Sequence, residues 1–529
     1  MERVAPSALN YDNILPLAIE SRSNRREFRP NNGASFSNNT GATHIRIDVN
    51  ADSMLDPLNS YLEVTINNET AGTFLGLAPF GPAFIQRLRI ESGGVVIEDI
   101  DEYSRLYAMT SLCQCPKDYL NNNYNAMGMY QKHTTSNHRP ANTDNQDRRF
   151  TNGDVCGSSN GGAVLANPVS LTTDLEYPST FQCKIAGFDN GAVIADNAAN
   201  RPTASALINH AKLPQGQGHV MCIPLLSGFL NMDKYIPLIM MNAGFTIDIE
   251  LVADSKIGCA TTETAAAQTA VSAAPTYAIT NVKYVAHLID LDRGFYDRLR
   301  AVMEGSGGVL QLAGQTYRHY VGQIPANTGP HTITLPARVK SVKSIFATFH
   351  DNATYGAVAG GYSQSVFQNA QLNSFRFEIG SVRYPQNDIQ CRMSGVDVGN
   401  TAGITDVGRN ENCEFLVELQ KAFGKLGDYS HQLAFDRKNL MNVNLPMTGG
   451  GDGEYQGVVV SSYVLGYDFE AFQRVALEAG INTADRSLPI NFICERYQQL
   501  QAGTTRADFY VLTDAIYYIN LDGTVSVSV

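Results

Sequence analysis

Long apolar runs are missing from this sequence. No segment of its 529 residues approaches the ~20 consecutive apolar positions that a membrane-spanning helix needs. The opening MERVAPSALNYDNILPLAIE lacks the apolar stretch of a secretion signal, so folding in a soluble, reducing compartment is expected. Cysteine is sparse: nine residues, an odd number, with no CxxC pair and with Cys113 and Cys115 one residue apart. That excludes a disulfide framework as the basis of the fold and predicts reduced, mostly buried thiols. Positive charge is short as well. Against 51 acidic residues stand 39 basic ones, a formal charge of −12, and a chain of that sign is a poor general binder of nucleic acid or anionic membranes. Tryptophan is absent, which excludes nothing.

Reactive constellations are also lacking. There is no GxxxxGK[ST] phosphate loop, and the GSGG at 305–308 has no lysine after it; neither GxSxG nor HExxH occurs. His133 and His138 lie five apart in an Asn-rich stretch with no third ligand nearby, as in a solvated loop rather than a metal site. Asp99, Asp101 and Glu102 are the residue types of a sugar-cleaving carboxylate pair. They also lead into a helical pattern, where acidic side chains favour the amino end, and that reading is preferred. Asn38, Asn68 and Asn352 begin N-x-T triplets, which are not expected to be glycosylated without a secretion signal. Asp452 and Glu454 in TGGGDGEYQG are too few for a calcium loop. No catalytic, cofactor-binding or metal-binding residue is predicted, and the chain is not read as an enzyme.

What the sequence does contain is strand pattern. Hydrophobic residues make up 43% and charged ones 17%, glycine is frequent at 45, and β-branched and aromatic residues recur in short runs. The length exceeds what one core supports, so two domains are expected. Residues 1–40 read as an arm, with Arg22, Arg25, Arg26 and Arg29 either solvated or touching phosphate or another subunit. THIRIDV alternates Ile45, Ile47 and Val49 with polar residues, YLEVTIN does so with Leu62, Val64 and Ile66, and FTIDIEL with Phe245, Ile247, Ile249 and Leu251. Tyr103, Leu106, Tyr107 and Thr110 fall at helical spacing. A second helix starts at a cap, Asp292, carries Phe295, Leu299, Val302 and Met303, and ends at Gly305. Residues 114–218, rich in Asn, Gly and Ser, read as a long insertion from one end of a β domain.

One hairpin is written twice. RLRIESGG at 87–94 and SFRFEIGS at 374–381 both alternate apolar with charged residues and turn at Gly93 and Gly380. A helix over 411–423 with Leu416, Leu419 and Phe423, then INFICER and DFYVLTDAIYYINL, repeat the order of the first half. The prediction is all-β: two consecutive eight-stranded jelly-roll sandwiches, which hide their sheet edges with connections of this kind. The divisions are an arm at 1–40, a first jelly roll at 41–305 carrying the insertion 114–218, and a second at 306–529. Residues 353–371 and 396–410 have no predicted strand.

IQRLRIESGGVVIEDIDEYSRLYAMTS and the ending DFYVLTDAIYYINLDGTVSVSV resemble the double jelly-roll major capsid proteins of icosahedral DNA viruses, of the Polinton-like virus and virophage type. The resemblance covers nearly the whole chain in architecture. It implies a homotrimer forming a pseudo-hexameric capsomer, which would tile a shell with neighbouring capsomers, penton and minor or cement proteins. It implies a place in the virion after synthesis in the host cytoplasm. It also implies an outward tower built by 114–218 and 253–275, and an inward arm able to touch genome or membrane. Two other readings stay open on the residues alone: a carbohydrate-binding or carbohydrate-cleaving β-sandwich, and a trimeric minor capsid or receptor-binding protein.

Overall fold

A strand with a core on one side and solvent on the other must bury every second residue. Ile45, Ile47 and Val49 do so, as do Phe245, Ile247, Ile249 and Leu251. In the computed structural model the two segments are neighbouring antiparallel strands with Ile47 opposite Ile247. The structure describes residues 21–114, 212–262, 274–392, 413–426, 443–444 and 459–529, with brief interruptions inside these ranges. Most of the insertion 114–218, His133, His138, Asp452, Glu454 and 396–410 lie outside the described residues.

The first sandwich runs through β1 (Ser21–Phe28), β2 (His44–Val49), β3 (Met54–Asn68), β4 (Ile85–Ser92), β5 (Val95–Asp101), helix α1 (Tyr103–Gln114), β6 (Gly218–Ile223), β7 (Ile236–Pro237), β8 (Phe245–Leu251) and β9 (Tyr277–Leu291). One sheet has the order β1-β9-β3, with β6 and β7 both on the far side of β3; the other is β2-β8-β4-β5. Counting β6 and β7 as one position, the sheets hold strands 1-8-3-6 and 2-7-4-5. That is the doubled Greek key of a jelly roll. Helix α2 (Arg293–Gly305) follows, with the Gly294 N–H donating to Asp292 Oδ2 at 3.2 Å.

The second sandwich repeats the order with β10 (Val309–Ile324), β11 (Gly329–Leu335), β12 (Val342–Asp351), β13 (Leu372–Ile379), β14 (Val382–Gln390), helix α3 (Glu414–Ala422), β15 (Val464–Asp468), β16 (Ile490–Arg496) and β17 (Thr505–Asn520); β18 (Val525–Ser528) folds back on β17. Its sheets are β10-β17-β12-β15 and β11-β16-β13-β14, again 1-8-3-6 and 2-7-4-5. The helices α1 and α3 each follow the fifth strand of their sandwich.

The doubled hairpin is therefore the fourth and fifth strands of each unit. Gly93 and Gly94 both have positive φ, 56° and 84°, as a type I′ turn requires, while Gly380 is at 61°. Leu88 and Ile90 in one hairpin, Phe375 and Phe377 in the other, point into the core.

The arm expected over 1–40 is corrected in part. Ser21–Phe28 forms β1, paired from Ser21–Leu291 to Phe28–Tyr284 along β9. Its first seven residues are exposed on both faces, so it carries no alternation for the sequence to display. Two of the expected tower segments meet at one end of the first sandwich: Thr73–Leu77 pairs with Gly258–Thr262 on one side and with Lys212–Leu213 on the other. Among the described residues no helix is long and apolar enough to cross a membrane.

Candidate functional site

A densely connected polar region lies where the two sandwiches meet. The edge strand β5 of the first stands beside the edge strand β10 of the second. The Thr316 hydroxyl donates to Glu98, and His319 faces Asp101, two contacts with the same sequence offset, so the strands run in one direction. The sandwiches stand shoulder to shoulder.

Near one end of this seam, Asn242, in the turn before β8, donates its backbone N–H to Gly523 O at 3.1 Å and its side-chain amide to Asp522 O at 2.5 Å. Midway, backbones nearly touch. A Cβ on Gly228 would stand 2.2 Å from Gln315 O and 2.7 Å from the Tyr517 hydroxyl, and one on Gly314 would stand 2.7 Å from Gly228 O. The neighbouring Phe229 ring meets Tyr517 edge-on at 5.2 Å. Glu98 is buried here and accepts from Ser227 Oγ, Gly228 N at 2.8 Å and Thr316. Burial pushes its carboxyl above the usual range in spite of these donors.

At the other end sits a cluster of charges. Arg105, in the first turn of α1, places Nε 3.1 Å from Asp508 Oδ2 of β17, and neither side chain is exposed. The same guanidinium donates to Thr348 Oγ1 and to Phe349 O, and lies 4.8 Å above the Phe367 ring. Asp508 also meets His319 Nε2 at 3.0 Å and Arg506 at 2.8 Å. Burial alone would raise the Asp508 carboxyl; the His319 hydrogen bond and the two guanidinium charges outweigh it and hold it below the usual range. His319 Nδ1 faces Asp101 Oδ2 at 3.8 Å, so carboxylates flank both ring nitrogens, a setting only the imidazolium satisfies. Burial works against that charge, yet the two carboxylates bring His319 up to about 9 and Asp101 falls to about 2.

Glu102 completes the cluster. Its Oε1 lies 3.2 Å from Lys256 Nζ and 3.1 Å from Arg506, and its carbonyl accepts from the Tyr510 hydroxyl. Its φ of 49° is uncommon for a residue with a side chain and is held by these contacts. The Tyr355 ring lies within 4.1 Å of the Arg506 guanidinium carbon and 4.8 Å of Lys256 Nζ. His350, buried beside Arg105, is pushed down to about 3, first by burial and then by that charge.

The three carboxylates of the sequence reading thus separate. Asp99 makes a two-pronged pair with Arg87 on the neighbouring strand, and Asp101 and Glu102 join the seam. Glu102 directly precedes α1, but its carboxylate goes to Lys256 and Arg506 rather than to the helix end. Of the triplet asparagines, Asn68 is buried and accepts from the Thr70 N–H, and the Asn38 amide donates to Val252 O. Arg105, His319, Arg506 and Asp508 were not singled out in the sequence; the available signal was a charge inside an apolar strand, as in DFYVLT. Among the described residues no group of three or more His, Cys, Asp or Glu side chains is placed to hold a metal ion, and the described cysteines are free thiols. The heart of the cluster, Arg105, Asp508 and His319, is buried and covered by aromatic rings, while Asp101 at its rim is exposed. Such a cluster can fix one body against another.

No family model matches the sequence, and no curated protein does. Solved structures do match in fold. The Faustovirus major capsid protein superposes with a TM-score of 0.52 at 10% identity, over 96% of this chain and 92% of that one. A cryo-EM structure of the Sputnik virophage gives 0.46 at 10% identity over 100% and 93%, and the mavirus major capsid protein 0.43 at 10% over 100% and 95%. At such identities the likeness is one of fold. With two sandwiches of one strand order standing edge to edge, and with a superposition on the Faustovirus protein along nearly the full length of both, the chain is a double jelly roll.

Proposed function

We propose that this chain is a structural building block, the major capsid protein of an icosahedral virus particle. The observation that carries the reading is the side-by-side placement of two equivalent sandwiches locked by a buried seam. Three such chains around a threefold axis present six similar units, a near-hexagonal block able to pave a flat facet. A virion location and contacts with neighbouring blocks, penton and minor or cement proteins belong to the same reading, as does synthesis in the host cytoplasm. The connections over 114–218 and 253–275, whose described parts Lys212–Leu213 and Gly258–Thr262 both pair with Thr73–Leu77, would form the outward projection. Contact with genome or membrane would fall to residues ahead of β1.

The test is particle size and shape. Three chains of 57.6 kDa make a particle of 172.8 kDa, which should be seen by light scattering, with hexagonal blocks or shells in electron micrographs. A chain that stays monomeric at all concentrations overturns the proposal.

A further inference from the structure

We propose that Lys343 and Asp514 become joined by an amide bond between their side chains, with Glu470 carrying a proton, so that the second sandwich is closed by a covalent cross-link. The bond is independent of the capsid reading.

Three charged side chains meet here between neighbouring strands. Lys343 lies in β12 at the bulge where the register against β17 shifts, between the Val342–Thr513 and Ser344–Leu512 pairs. Asp514 is the next residue of β17 after Thr513. Glu470 follows β15, the other neighbour of β12. It is held in place: the Phe469 N–H donates to Lys343 O at 2.7 Å, and the Glu470 N–H donates to Asp468 Oδ1 at 3.0 Å. Lys343 Nζ stands 2.6 Å from Glu470 Oε1 and 3.3 Å from Asp514 Oδ1. The three side chains are 8%, 14% and 5% exposed. Ser341 Oγ donates to Asp514 Oδ2 at 2.7 Å, and the other carboxylate oxygen, Oδ1, faces the amine.

A nucleophile and an acyl group held in contact with little water gain the advantage of an intramolecular reaction. Burial pulls the Lys343 ammonium down, but the Glu470 hydrogen bond and the Asp514 charge outweigh it, so the step begins from the charged pair. The ammonium gives one proton to Asp514 Oδ1, leaving an amine beside a carboxylic acid. The Nζ lone pair attacks Cγ and forms the Nζ–Cγ bond. Glu470 takes a second proton from Nζ and returns it to the departing Oδ1 hydroxyl. Negative charge gathers meanwhile on Oδ2, where Ser341 Oγ already donates. The Cγ–Oδ1 bond then breaks, water leaves and the carbonyl re-forms. Nothing is oxidised or reduced, Glu470 ends as it began, and no other reactant enters.

The bond ties the third strand of the sandwich to the eighth and encloses β13, β14, α3, β15 and β16 in one covalent loop. Closing so long a loop takes conformational freedom from the unfolded chain. The first sandwich differs at this point: the tenth residue of β9 is Ala286, where β17 has Asp514.

The intact mass of the full-length chain in denaturant, followed by a tryptic map, tests this. The expected result is a chain lighter by one water and a branched peptide joining the segment around Lys343 to the segment around Asp514. Lys343→Met and Asp514→Ala should each restore the full mass. Glu470→Gln keeps both reacting groups and removes the proton carrier, so it should restore the full mass too; a bond that survives it overturns the role given to Glu470. An unmodified chain at full mass, with Lys343 and Asp514 in separate peptides, means an ion pair only and overturns the cross-link. So does a water loss that survives Lys343→Met, which belongs to a cyclised Asp-Gly pair such as Asp522–Gly523. The mass of the unmodified protein decides the matter even where a variant fails to fold, and neither result bears on the capsid reading.

Discussion

Arg105 and Asp508 belong to different sandwiches, stand 3.1 Å apart, and have no exposed side-chain surface. Two charges taken out of water so completely are held by geometry as much as by mutual attraction, because desolvation cancels much of the Coulomb gain. Their value lies in direction. The pair is satisfied in one relative placement of the two sandwiches and leaves buried charge in any other.

Breaking the pair from either side should therefore have unequal effects. Asp508→Asn strands Arg105, His319 and Arg506 around a neutral amide and should cost about 3–5 kcal/mol. Arg105→Met leaves Asp508 with His319 and Arg506 and should cost less. Adding Arg105→Met to Asp508→Asn should cost less than the two single changes together. Urea unfolding of the four proteins measures this, and additive losses would refute a shared junction.

The His319 imidazolium gives the seam a pH dependence of known sign. Its folded value, about 9, lies above the ordinary 6.5, so its contribution is complete below 6.5 and is lost as pH rises through 9. Asp101 works the other way: lowered to about 2, it contributes above its ordinary 3.8 and fails only as pH falls through 2. Stability followed by denaturant midpoint should fall between pH 6.5 and 9, and His319→Gln should flatten that slope. A slope unchanged by the substitution would place its origin elsewhere.

The fold was legible where one side of a strand faces water. Ile45 to Val49 and Phe245 to Leu251 alternate, the two hairpins echo each other, and Asp292 and Gly305 bracket α2. β1 was not, because an edge strand exposed on both faces has no periodicity, and SRSNRREF reads as an arm. β10 escaped notice too: its buried Leu312, Tyr317 and Ile324 are irregularly spaced, since part of its surface meets a neighbouring sandwich instead of a core. The seam itself was illegible. Glu102 and Arg506 are 404 positions apart, and no local pattern reports a pairing made between domains.

Gly228 tests how tightly the backbones are pressed together. With Gln315 O at 2.2 Å from its would-be Cβ, Gly228→Ala must push the loop off β10, and overpacking of that kind costs about 1–3 kcal/mol. Gly305→Ala, with no neighbour within 4 Å, should show no loss. Thermal unfolding of the two variants compares them directly, and equal melting points would mean the seam yields freely.

The paired hairpins offer a test of whether equivalence in fold means equivalence in energy. Gly93 and Gly380 both sit at positive φ, where an alanine is strained by about 1–2 kcal/mol. The space around them differs. A Cβ at Gly380 would stand 2.8 Å from Leu488 Cδ2, while at Gly93 the nearest atom is Ala243 Cβ at 3.9 Å. Gly380→Ala should therefore be the more damaging change, by the extra cost of displacing Leu488. The two glycines share no neighbour, so their effects should add in the double variant. Denaturant midpoints decide the matter: a larger loss at Gly93 would mean that backbone strain, and not the packing of the turn against its own sandwich, sets the cost of each hairpin.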